Sequence, residues 1–217
     1  TIVMTVFNTF YTMVDGLFVS NLIGMEALSA INLTAPAIAL ITAISGMLAT
    51  GGSAVVMKKM GEHKEQEARQ DFTLLILTNA VVGVVMMLLG YTLMDTLLGT
   101  MGLSPAVFGY CHTYLSNYLL FTIPILLMYN FSLYLIAADK STLSLICTVA
   151  GGVTNIILDY ALISLFDLGI QGAAIATGLG YSITAVVGFL VFRKKESLLH
   201  FEKPVFRGGV LFHASTN

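Results

Sequence analysis

Thr142–Phe166, TLSLICTVAGGVTNIILDYALISLF, is 25 residues long and carries one charged group, Asp159. As a helix rising about 1.5 Å per residue it crosses the roughly 30 Å hydrocarbon core of a bilayer. Five further stretches share this character: Thr1–Ile23, Ala27–Met57, Phe72–Met94, His112–Ala138 and Leu168–Phe192. Helices of a soluble protein would show charges recurring every turn or two, and these do not. Over the whole chain 57% of residues are hydrophobic and 10% charged, against about 25% charged in an ordinary soluble domain. The class is an all-α integral membrane protein with six transmembrane helices, embedded in a lipid bilayer and with no nucleic-acid partner.

All ten Lys and Arg residues fall in alternate connections. Lys58, Lys59, Lys64 and Arg69 lie between the second and third spans, Lys140 between the fourth and fifth, and Arg193, Lys194, Lys195, Lys203 and Arg207 after the sixth. The intervening connections carry none. By the positive-inside rule the first span runs outward from the cytoplasm and both ends of the chain face the cytoplasm of a cell membrane. The nearly chargeless Leu98–Gly109 reads as an external loop. No cleavable signal is visible, and both ends read as cut, so a fragment of a longer protein is expected.

Asp15 and Asp159 are the only charged groups inside the spans. An unpartnered carboxylate in hydrocarbon costs several kcal/mol, and no span offers a Lys or Arg to balance it. They therefore hold a proton, bind a cation or face water. Helical spacing adds neighbours: Asn8, Tyr11 and Asp15 share one face of the first span, Asn155 and Asp159 one face of the fifth, and Thr177 and Tyr181 one face of the sixth. Counted in turns from the outer ends, Asp15, Asp159 and Thr177 lie at one depth. Two carboxylates close together in low dielectric share a proton, and carboxylate, amide and hydroxyl oxygens suit Na⁺. The expected ion or proton site is Asp15, Asp159, Asn155, Tyr11 and Thr177, with Na⁺ held, if it is the ion, by Asp15, Asn155, Asp159 and Thr177.

The remaining polar and special residues have plainer readings. Asn8, Asn130, Pro36 and Tyr181 are candidate cavity-lining positions, Pro36 and Pro124 also candidate bends of the second and fourth spans. Gly151-Gly152 and Gly178-x-Gly180 permit close helix contact. Cys111 and Cys147 lie at different depths and read as buried hydrophobes rather than a disulfide. The histidines have no metal-ligand spacing, and the Gly51-Gly52-Ser53 cluster lacks the Gly-Lys-Ser/Thr of a phosphate loop. No cofactor is expected beyond H⁺ or Na⁺ as coupling ion.

These motifs, taken in order, resemble a family. Tyr11-x-x-x-Asp15-Gly16-x-Phe18-Val19 and Leu28-x-Ala30-x-Asn32-Leu33-x-x-Pro36 are similar to the first two helices of multidrug and toxic compound extrusion (MATE) transporters. Gly51-Gly52-Ser53-Ala54 with the following Gly61-Glu62 resembles the second helix and its cytoplasmic loop. Asn155-Ile-Ile-Leu-Asp159 and Gly169-x-x-Gly172-Ala173-Ala174-x-Ala176-Thr177 resemble the fifth and sixth helices. The resemblance implies a twelve-helix fold of two lobes, with residues 1–195 forming the amino-terminal six-helix lobe and residues 196–217 the start of the interlobe linker. A carboxyl-terminal six-helix lobe would then be a partner absent from this chain. It also implies cation-coupled antiport exporting a small amphipathic substrate, and a proton or sodium site at Asp15, Tyr11, Asn155, Asp159 and Thr177.

Two other transmembrane readings compete. One is a lipid-linked precursor flippase of the same superfamily, which would need basic residues in its cavity for a phosphorylated substrate, and the other is a non-transporting half-protein. An enzyme is not expected: the Gly-x-Gly-Asp signature of an intramembrane aspartyl protease is replaced before Asp159 by Asn-Ile-Ile-Leu.

Overall fold

The computed structural model describes residues 2–194 and 196–204, with side chains from residue 10 onward. Seven α-helices follow one another: α1 (Ile2–Leu22), α2 (Met25–Gly61), α3 (Glu65–Thr100), α4 (Pro105–Leu120), α5 (Thr122–Ala137), α6 (Ser141–Asp159) and α7 (Gly169–Phe192). A π turn, Tyr160–Leu165, continues α6. α2, α3, α7 and the joined Ser141–Leu165 segment are each long and apolar enough to cross a membrane, and α4 with α5 forms one broken span bent by 54°. The 21-residue α1, whose one charge is Asp15, supplies the sixth. The basic connections meet at one end of the bundle: Arg69 Nε donates to Leu198 O at 3.2 Å, and Lys140 Nζ to Ser197 Oγ at 3.5 Å.

Three boundaries differ from the sequence reading. α2 and α3, at 37 and 36 residues, outrun the hydrocarbon and carry their polar ends beyond it. The expected loop Leu98–Gly109 shrinks to Met101–Ser104, because Ser104 caps α4 by accepting from Val107 N at 3.4 Å and Pro105 takes the first helical position. The fourth span breaks at Phe121, three residues before Pro124. Proline has no N–H to donate to the carbonyl four residues back, and its ring crowds that carbonyl, here Leu120. Pro36 has no such effect, and α2 runs on through it.

Close approach of the helices rests on glycine. A Cβ added at Gly151 would stand 2.7 Å from Gly180 O, and one at Gly180 would stand 2.8 Å from Gly151 O, so α6 and α7 touch backbone to backbone. A Cβ at Gly178 would fall 2.1 Å from the Phe121 ring, which the break between α4 and α5 turns onto α7. In lipid, where tails are as apolar as leucine, such packing and interhelical polar contacts replace the hydrophobic effect as the glue.

At the basic end an aromatic cluster closes the bundle. Phe72 meets Tyr134 edge-on at 4.8 Å, Phe192 at 5.1 Å and stacks on Phe201 at 5.3 Å. Phe201 belongs to the segment after α7, assigned from sequence to the linker. The described part of that segment folds back onto the bundle: Leu199 is fully buried, Phe201 N donates to Phe192 O at 3.1 Å and Glu202 N to Thr73 Oγ1 at 3.0 Å. Residues 205–217 of the expected linker lie outside the described residues.

Asp71, on α3 next to this cluster, is a buried charge that the span reading passed over. It is 1% exposed and ion-paired with Lys59, which also reaches Glu67 at 3.4 Å. Breaking such a pair from one side leaves a carboxylate buried without compensation. Lys59→Met is expected to destabilise the bundle by about 3–5 kcal/mol, and adding Asp71→Asn should restore most of the loss. Thermal unfolding of the purified protein in detergent checks this. Lys64→Met, at the exposed pair with Glu62, should leave the midpoint unchanged.

Candidate functional site

The site begins with two acids on two helices. Asp15 stands on α1, and Asp159 is the last residue of α6 before the π turn. Their carboxyl groups lie close enough to interact with one another. Asp159 is fully buried and Asp15 partly so. Asp15 Oδ1 and both carboxyl oxygens of Asp159 are buried and receive no hydrogen bond. No lysine, arginine or histidine forms an ion pair with either acid among the described residues; every ion pair there lies near an end of the bundle.

One turn nearer the basic end lies a second polar layer. On α1 and α6 the residues four positions before the acids are Tyr11 and Asn155, and α7 runs the opposite way to bring in Thr177 and then Tyr181. Asn155 Nδ2 donates to Thr177 Oγ1 at 3.4 Å, Thr177 Oγ1 donates to Ala173 O at 3.0 Å, and Tyr11 donates from its hydroxyl to that of Tyr181 at 3.3 Å. Asn155 is 3% exposed, and its Oδ1 accepts no hydrogen bond. The contact between Gly151 and Gly180 makes this layer possible, since it draws α6 and α7 close enough for an asparagine to reach a threonine.

This second layer forms one end of a cavity of about 260 Å³. Tyr11, Asn155, Thr177 and Tyr181 line that end, while Thr50, Ser132, Thr148 and Thr184 add hydroxyls toward the basic end. Met128 and Tyr129 provide apolar and aromatic wall, and no lining residue is charged. The acids do not line the cavity; they reach it through the residues one turn away.

The expected residues thus divide. Asp15, Asp159, Asn155, Thr177, Tyr11 and Tyr181 stand in two adjacent layers. Asn130 does not line the cavity, because its amide is spent on Asn79 of α3 in a reciprocal pair at 2.8 and 3.3 Å. Pro36 is exposed on α2, away from the cavity. The side chain of Asn8 lies outside the described residues. Tyr114 was missed: it is buried on α4, close enough to both carboxyls to feel their charge. Counting turns from the sequence could not find it, because the sequence reading starts the fourth span at His112, two residues before Tyr114, whereas α4 begins at Pro105. The π turn directly after Asp159 was also missed, a feature that recurs at functional sites and has no simple sequence mark.

A six-helix membrane bundle with acids buried away from any cation, beside an uncharged polar cavity, is the architecture of one lobe of a membrane transporter. The chain belongs to the MatE family, whose family model matches residues 1–161. It is 23% identical over 189 residues to the multidrug export protein MepA of Staphylococcus saprophyticus, covering 87% of this chain and 42% of that protein. With MepA of Staphylococcus haemolyticus the identity is 24% over 191 residues, covering 88% and 42%. The fold superposes with a TM-score of 0.90 and 22% identity on an outward-facing multidrug resistance MATE family transporter of the MOP superfamily, over 97% of this chain and 47% of that one. A MOP superfamily transporter from Pyrococcus furiosus gives the same values. The chain therefore spans less than half the length of these relatives.

The dependence of the second layer on glycine can be tested directly. Gly180→Val should drive α6 from α7, part Asn155 from Thr177 and cost about 1–3 kcal/mol through overpacking. Thermal unfolding is the readout. Gly99→Ala, where an added Cβ meets nothing within 4 Å, should leave the midpoint where it was or raise it slightly.

Proposed function

We propose that this bundle is the cation-coupling lobe of an antiporter that exports amphipathic compounds. The observation that carries the reading is the set of buried oxygens on Asp15, Asp159 and Asn155 that receive no hydrogen bond. Two carboxyl groups in contact and away from water cannot both stay negative without a cation between them. A proton satisfies them by turning one oxygen into a donor; Na⁺ does so by gathering the carboxyl, Asn155 amide and Thr177 hydroxyl oxygens around itself. Either ion favours the arrangement in which α1 and α6 hold their acids together, and its loss favours their separation. That difference in affinity between two arrangements is what links an ion gradient to movement of another solute.

Orientation follows from charge. The end where Lys59, Arg69, Lys140 and Lys194 gather faces the cytoplasm under the positive-inside rule, so the cavity lies on the cytoplasmic side of the acids. Its tyrosines, Met128 and hydroxyls suit cationic or neutral amphipathic molecules through cation–π and adaptable apolar contact. No lysine or arginine lines it to neutralise a phosphate, which disfavours the flippase reading. The relatives named as multidrug export proteins support export of small molecules as the activity. In the complete transporter a second six-helix bundle would face this one, with the substrate route between them, and the protein would act as a carrier rather than an enzyme.

Asp159→Asn in the full-length protein should abolish gradient-driven efflux in proteoliposomes while leaving expression and unfolding temperature near those of the unaltered protein. Imposing a proton gradient and a sodium gradient in separate experiments identifies the ion. Efflux by the variant at the unaltered rate under both gradients would remove Asp159 from the coupling. Transport of a phosphate-bearing lipid precursor, with organic cations left behind, would favour the flippase.

A further inference from the structure

A second cavity, of about 410 Å³, opens at the basic end between the α5–α6 turn and the end of α7. Its lining has two halves. Lys140, Lys194, Glu196 and Ser197 form the polar half, and Val187, Leu190 and Val191 of α7 form the apolar half. We infer that this cavity binds the phosphate headgroup of an anionic phospholipid from the adjoining leaflet, with the acyl chains lying along α7.

Position comes first. The cavity sits where the last apolar turns of α7 give way to Arg193 and Lys194, which is the level of the headgroups for a helix that spans the bilayer. Leu190 is 53% exposed and Val186, one turn earlier, 56%, so the apolar half continues into a strip that faces lipid tails. Charge comes second. Two ammonium groups face one lining carboxylate, leaving an excess of one positive charge, which matches the single negative charge of a phosphodiester. Asp139, the neighbouring acid on the α5–α6 turn, is exposed and is not among the lining residues.

Geometry adds a fixed donor. Ser197 is 7% exposed, and its hydroxyl accepts from Lys140 Nζ at 3.5 Å. Its backbone N–H donates to Lys194 O at 3.1 Å, so the serine and both lysines are held in one local frame. α6 starts immediately after Lys140 with no acidic residue in its first turn, which adds the positive end of a helix dipole. Basic pockets between transmembrane helices at the membrane surface are the sites where acidic headgroups settle. The site shares no lining residue with the cavity beside Asn155, and it stands whether or not this lobe couples to an ion.

Native mass spectrometry of the purified chain, titrated separately with phosphatidylglycerol, phosphatidylcholine and glycerol 3-phosphate, tests the assignment. Retention of a first equivalent of phosphatidylglycerol well above phosphatidylcholine is expected, with glycerol 3-phosphate not retained. Lys140→Gln and Lys194→Gln should each weaken phosphatidylglycerol retention about fivefold, while Lys58→Gln should leave it unchanged. Equal retention of the two lipids, or lysine variants that behave as the unaltered chain, would overturn the site. Tight retention of glycerol 3-phosphate would overturn its assignment to a lipid. Should the lysine variants misfold, a photoreactive phosphatidylglycerol added to the unaltered chain decides: adducts at 186–198 support the site, and adducts confined elsewhere sink it.

Discussion

The contact between Asp15 and Asp159 is the constraint around which the bundle is arranged. It joins α1 to the end of α6 without a cationic side chain to balance it, inside a medium that tolerates no unbalanced charge. Everything adjacent conforms to that demand. The layer one turn away is built of neutral groups, Tyr11, Asn155, Thr177 and Tyr181, that hydrogen-bond among themselves and leave the Asn155 carbonyl oxygen free. The formal charges that do have partners, at Lys59–Asp71 and Arg69–Glu65, stand at the bundle's basic end. The protein has thus separated two settings for charge: acids paired with Lys59 and Arg69 stand at the basic end, and the two acids without an ion pair stand together inside the bundle.

Holding such a site open requires the surrounding helices to be rigid without a hydrophobic driving force. Two devices supply this. Glycines at 151 and 180 bring backbones into contact, and Phe121 drops onto Gly178 where the fourth span breaks. Polar pairs then lock helices that glycine does not. Asn79 and Asn130 exchange amide hydrogen bonds between α3 and α5, each such contact adding about 0.6 to 2 kcal/mol in a membrane. The site is therefore framed by contacts that are short and directional, and a change of one methyl group on α6 or α7 is felt at Asn155.

What the sequence disclosed follows the physics of lipid. The six spans, the alternation of basic connections and the helix-face partnerships of Tyr11 with Asp15 and Asn155 with Asp159 are all local or periodic signals. Hydrocarbon punishes any departure from them, so they are written plainly. What stayed hidden depends on contacts between distant segments. Asn130 looked like a cavity residue because nothing in its own helix reveals Asn79 across the bundle. Asp71, one residue before the third span, drew no reading because its burial depends on Lys59 folding back over it. The break at Phe121 was read as a kink at Pro124, since the proline's missing donor acts on a carbonyl four residues earlier. The π turn after Asp159 left no mark that could be read, because it needs only one residue more than the α-helix provides for.

The docking of Ser197–Glu202 has a mechanical consequence. The chain does not leave the bundle at the end of α7; it crosses the basic face and is fastened near Thr73 of α3, with Phe201 held between Phe72 and Phe189. Any segment that continues from this point is tethered beneath α3, and its reach, at most about 3.3–3.6 Å per residue, is measured from there. The anchorage sets the origin of the leash, so a body attached to it inherits its starting position from the third helix rather than from the last.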